Sequence, residues 1–110
     1  MTNFGQFIKT EREKQGLTQT EFGAIVGINS SAISRIENGT LPFSKEKLVK
    51  LSELFEIDLQ EIKDLFFGDK FAKEAYKYKC SESVFTVAEG TVQYLRNGSS
   101  KQNKLKIQPL

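Results

Sequence analysis

Apolar residues in the first 66 positions recur three and four apart rather than in alternation, the spacing that lines up one side of a helix. Phe4, Phe7 and Ile8 open the series and Gly16 closes it, which predicts a first helix over about residues 3–15. Thr18-Gln-Thr-Glu21 reads as a capping box, the Thr18 hydroxyl accepting from the Glu21 amide while the Glu21 side chain reaches back. The helix it opens turns Phe22, Ile25 and Val26 inward and stops at Gly27. Asn29 is a good N-cap for a third helix over about residues 30–37, with Ile33 and Ile36 inward and Asn38-Gly39 as its stop. Thr40-Leu-Pro-Phe43 reads as a loop, and Ser44 as the cap of a fourth helix that buries Leu48, Leu51, Leu54 and Phe55. Asp58-Leu-Gln-Glu61 is a second capping box, opening a fifth helix with Ile62, Leu65 and Phe66 inward.

Beyond Gly68 the helical pattern continues over Asp69–Lys79 and, after Ser81-Glu82-Ser83, in a last segment to Arg96. That segment is apolar on two adjoining rows, Val84/Val87/Tyr94 and Phe85/Ala88/Val92/Leu95, a stripe wide enough to face two surfaces. No strand pattern competes except a weak one at Phe85–Val87. Asn97–Leu110, with Lys101, Lys104 and Lys106, reads as a flexible basic tail. The expected architecture is all-α: a five-helix bundle over 1–68, a helical extension over 69–96 that either self-associates or packs back onto helices 1 and 5, and a tail over 97–110.

Composition narrows the function. No apolar run approaches the ~20 residues of a membrane span, and the N-terminus lacks the pattern of a secretory signal, so a cytoplasmic protein is expected. With no histidine and Cys80 as the only cysteine, no metal site, no cofactor and no internal disulfide are expected. Cys80 is expected to be an inert, partly buried residue. An enzyme fits poorly, since neither a usual general base nor a glycine-rich phosphate loop is visible, and no small-molecule ligand is evident. Residues 1–68 carry eight basic against ten acidic side chains, a net of −2, whereas 69–110 carry eight against four, a net of +4. A generic polyanion binder would show a basic stripe there, so any nucleic-acid affinity of the first part rests on a few well-placed groups.

The third helix holds those groups. With Ile33 and Ile36 inward, its outward set is Ser30, Ser31, Ser34 and Arg35, short hydroxyls and one arginine that can enter a major groove without obstruction. Arg35 is the best base reader, because its fork can donate twice to guanine O6 and N7. The serines donate or accept with little selectivity and would tune the choice. Gln19 in the first turn of helix 2 and Asn29 at the cap of helix 3 sit where helix starts attract phosphate. Asn38, Gly39 and Thr40 offer backbone amides to the neighbouring strand, and Lys45 and Lys47 are further phosphate candidates.

Gly16-Leu-Thr-Gln-Thr-Glu-Phe22, Val26-Gly-Ile28 and Ile33-Ser-Arg-Ile-Glu-Asn-Gly39 resemble the helix-turn-helix of phage repressor, Cro and XRE-like regulators over about residues 4–66. The resemblance implies a five-helix bundle that binds double-stranded operator DNA, usually as a homodimer, with the glutamine at position 19 on the DNA backbone. It also implies a structural ion pair between Arg12 and Glu37 that ties helix 1 to the reading head. Gly68-Asp-Lys70 and Val87-Ala-Glu89 resemble the short extension of some XRE-like regulators, including ones encoded near DNA methyltransferases. An antitoxin-like or adaptor protein, whose extension binds another protein while DNA binding is autoregulatory, is the alternative.

Overall fold

The computed structural model describes residues 3–100, and among them the chain is helical throughout apart from its turns. In order it forms α1 (Phe4–Lys14), α2 (Gln19–Val26), α3 (Ser30–Asn38), a 3-10 turn (Lys45–Lys47) running into α4 (Leu48–Phe55), α5 (Leu59–Lys77) and α6 (Ser83–Ser100). The all-α reading holds. By its contacts the chain divides into two units, Met1–Ala72 and Lys73–Leu110. No helix among the described residues is long and apolar enough to cross a membrane.

The core of the first unit is aromatic. Phe4 meets Phe7, Phe43 and Phe66 at ring distances of 5.5, 6.0 and 5.3 Å, and Phe22 stacks on Phe55 at 5.8 Å. Ile8, Ile33, Leu51 and Ile62 are fully buried beside them. Such rings each remove a large apolar area from water, and offset or edge-on pairs add to that gain. Phe43, expected in a loop, is therefore a core residue carried by a loop backbone. Ile25, expected inward, is 41% exposed. The buried side of α2 is centred between Phe22, Val26 and Gly23, and at about 100° per residue Ile25 falls off its edge.

Several caps differ from expectation. Ser44 makes no side-chain cap bond; its hydroxyl donates to the Glu46 carboxylate at 2.7 Å, a charged acceptor two residues on. Chain entry into α4 is consequently a 3-10 turn. The Asp58 carboxylate accepts from the Gln60 amide at 3.0 Å, one residue short of the Glu61 amide that a capping box would use. α5 then runs straight through Gly68, since one interior glycine costs only about 1 kcal/mol against alanine and no proline follows to break the ladder.

The second unit holds the end of α5, a turn at Tyr78–Glu82, and α6. Phe85–Val87 lies inside α6, so the weak strand signal was a helix row. Cys80 is exposed in the turn, contrary to the partly buried placement expected of it. Asn97–Ser100, expected in the tail, belong to α6, and the rest of that tail lies outside the described residues.

Candidate nucleic-acid interface

Local chemistry sets the angle between α2 and α3. The Thr18 amide donates to the Glu21 carboxylate at 2.8 Å and the Glu21 amide to the Thr18 hydroxyl at 3.0 Å, a closed capping box that starts α2. Gly27 stops it at φ 76°, a left-handed backbone that side chains disfavour. The Asn29 side chain accepts the Ala32 amide at 2.8 Å and starts α3 three residues later. Two glycines that the hydrophobic pattern passes over then allow close packing. A Cβ on Gly5 would stand 2.2 Å from the Ile36 carbonyl oxygen, and one on Gly23 would stand 2.1 Å from that of Ile28. A glycine inside an otherwise regular helical pattern is the signal that could have marked them.

With α3 seated, its faces separate cleanly. Ile33, Ile36 and Glu37 are buried; Ser30, Ser31, Arg35 and Asn38 are exposed and Ser34 half-buried. Helical geometry puts Ser31, Ser34, Arg35 and Asn38 on one outward ridge, with Ser30 to its side. Arg35 has no ion-pair partner among the described residues. Asn29 lies at the N-terminal end of the ridge, where its Oδ1 also accepts from the Ser31 hydroxyl at 2.9 Å.

Beneath the ridge lies a buried polar network. Arg12 donates through Nε to Glu37 Oε2 at 2.7 Å and through Nη2 to Oε1 at 3.0 Å, with side chains only 9% and 2% exposed. Its Nη1 donates to the Leu17 carbonyl at 2.7 Å, so one guanidinium ties α1, the α1–α2 loop and α3 together. The hydrogen bond to Glu37 holds the Arg12 pKa above its already high ordinary value, outweighing desolvation. A raised cation pKa stabilises the fold fully below the unfolded value, so the cation's contribution is constant through the physiological range and lost only at extreme alkalinity.

Gln19 joins the same network. Its Nε2 donates to Glu37 Oε1 at 3.1 Å, which orients the carboxamide at the start of α2 and leaves one N–H for another acceptor. The expected anion-binding amides fare differently: those of Gly39 and Thr40 donate to the Ile36 and Arg35 carbonyls at 3.1 and 2.9 Å, closing the α3 C-terminus. Those amides are occupied, so any phosphate contact there falls to the side chains of Asn38 and Thr40, and the Thr40 hydroxyl itself donates to Arg35 O at 3.2 Å. Lys45 is exposed in the 3-10 turn. Lys47 is half-buried, its Nζ 3.2 Å from where a Cβ on Gly27 would stand, beside the negative end of α2.

Residues 8–62 match the family model described as Helix-turn-helix. Antitoxin PezA of Streptococcus pneumoniae serotype 4 (strain ATCC BAA-334 / TIGR4) is 40% identical over 85 residues, which cover 77% of this chain and 52% of the antitoxin. The chain thus spans about half the length of that curated relative. No solved structure matches it.

Proposed function

Because this chain belongs to the helix-turn-helix family, we propose that it is a sequence-specific transcriptional regulator that lays α3 in the major groove of an inverted-repeat operator as a homodimer. The observation that carries the reading is the outward ridge of α3: small polar side chains and an arginine without an ion-pair partner among the described residues, on a helix whose buried side is locked by Arg12 and Glu37. Arg35 reads a guanine, Ser30, Ser31 and Ser34 tune neighbouring bases, and Gln19, Asn29, Asn38, Lys45 and Lys47 hold the phosphates, with Thr40 joining them only when its hydroxyl leaves the Arg35 carbonyl. The net −2 of residues 1–68 makes non-specific affinity low, so discrimination comes from the few base contacts and from pairing two heads about one helical turn apart.

Selection of bound duplexes from a random pool tests this. A palindromic consensus should emerge, with affinity falling steeply between about 50 and 200 mM salt as counterions are released. Arg35→Ala should relax preference at one guanine per half-site by ~1–3 kcal/mol and leave the melting temperature nearly unchanged. No selected duplex, or a consensus indifferent to Arg35, would remove the reading.

A second reading, an antitoxin-like protein whose extension binds another protein, is favoured by the similarity to the pneumococcal antitoxin and by the surface of α6. Phe85, Val87, Val92, Tyr94 and Leu95 are all at least 42% exposed on a helix where Glu89 and Arg96 are the only charges. Such an apolar surface is built to be covered. Truncation after Ala72 separates the two readings, since every residue of the main core cluster lies at or before Phe66. The expected result is a cooperatively folding monomer by light scattering, which places the homodimer interface in the deleted part. A truncated chain that stays dimeric leaves α6 for a different protein.

A further inference from the structure

We infer that Ser31 reads DNA as a hydrogen-bond acceptor only, so that the base opposite it carries an exocyclic amine, adenine or cytosine; this rests on the operator-binding reading above. A serine hydroxyl can ordinarily donate or accept and so discriminates little between bases. Ser31 differs because of its neighbour at the cap. The Ala32 amide donates to the Asn29 side chain at 2.8 Å, and an N–H can meet only the carbonyl oxygen of that carboxamide. The same oxygen lies 2.9 Å from Ser31 Oγ and has no hydrogen to give, so the hydrogen in this second bond is the serine's. Turning the hydroxyl elsewhere gives up this bond, and rotating Asn29 instead would sacrifice the N-cap of α3.

What Ser31 presents outward is therefore a pair of lone pairs. It is exposed on the same ridge as Arg35, one helical turn earlier, where a base edge would lie. In the major groove, adenine N6 and cytosine N4 are donors, whereas guanine O6 and N7 and thymine O4 are acceptors. Facing the first two, Ser31 Oγ gains a hydrogen bond; facing the others it sets lone pair against lone pair. Ser30 and Ser34 have no side-chain partner of this kind among the described residues and keep both options. Asn29 thus acts as a positioning residue that gives one serine a direction.

The test uses the full chain and the duplexes it selects. The Ser31 position is the one base pair whose preference disappears when Ser31→Ala is put through the same selection. Replacing the base there by its analogue without the amine, purine for adenine or 2-pyrimidinone for cytosine, should weaken the wild type about 2- to 10-fold and leave Ser31→Ala unaffected. Asn29→Gly keeps most of the cap, since glycine is well tolerated at that position, but frees the hydroxyl. With thermal unfolding confirming its fold, it should lower discrimination between amine and keto bases at that one position. A wild type indifferent to loss of the amine at the Ser31 position, an unchanged consensus in Ser31→Ala, or an unchanged preference in Asn29→Gly overturns the inference while operator binding stands. Failure of the wild type to select any duplex removes the operator reading itself, and the inference with it.

Discussion

Arg12→Ala is expected to lower the unfolding free energy by about 3–5 kcal/mol, the cost of leaving a buried carboxylate without its cation. Glu37 is 2% exposed in its side chain and, among the described residues, would keep only the Gln19 carboxamide, 3.1 Å away, as a hydrogen-bond partner. At this size the loss corresponds to a fall in melting temperature of more than ~10 °C. Because the guanidinium also holds the Leu17 carbonyl, its removal loosens the seat of α3 and of Gln19 together. Binding should weaken for all duplexes alike, without a change in the preferred sequence. A double-mutant cycle measured by urea unfolding should show strong coupling between Arg12→Ala and Glu37→Ala, and none between Arg35→Ala and Glu37→Ala. Additive losses for Arg12 and Glu37 would mean that the pair contributes nothing as a pair.

Gly5→Ala should also be damaging, although it places a better helix former in a helix. Alanine's intrinsic gain over glycine is roughly 1 kcal/mol. Against it stands a methyl 2.2 Å from the Ile36 carbonyl oxygen and 3.2 Å from that of Glu37, backbone atoms that cannot rotate away. Overpacking of this kind costs about 3 kcal/mol, so a net destabilisation of ~2 kcal/mol is expected. Gly5→Val should lose more, since its branched side chain adds bulk and forfeits the helix gain. Since Ile36 precedes Glu37, the displacement also opens the ion pair, and affinity for the selected duplex should fall alongside stability. An alanine variant as stable as the wild type would show that α1 and α3 can separate freely, and that their close approach is not what seats the reading helix.

The two changes illustrate where the sequence is legible. Thr18, Glu21 and Asn29 act through backbone groups three residues away, so their roles as helix starts can be read from spacing alone. The outward set of α3 is equally local, because the spacing of Ile33 and Ile36 marks which side of that helix faces inward. Residues whose role depends on a distant partner are harder to read. Phe43 looks like part of a loop until Phe4 is found 6.0 Å from it, and Gly5 looks like a flaw in a helix until the Ile36 carbonyl is placed against it. Ser44 fails as a cap for a local reason that propensity does not weigh, the carboxylate of Glu46 competing for its hydroxyl.

By itself the sequence determined the helix count of the first unit, the positions of its turns, and which face of α3 meets solvent, because these follow from caps, glycines and a 3.6-residue period. Only the tertiary structure decided what each exposed or buried polar group can still do. Gln19 is held by Glu37, 18 residues further along the chain, and Arg12 is held by the same carboxylate, 25 residues further along. The physical reason is that a hydrogen-bonding group's remaining capacity depends on which partners have already been brought within about 3 Å, and that is a property of packing rather than of order along the chain.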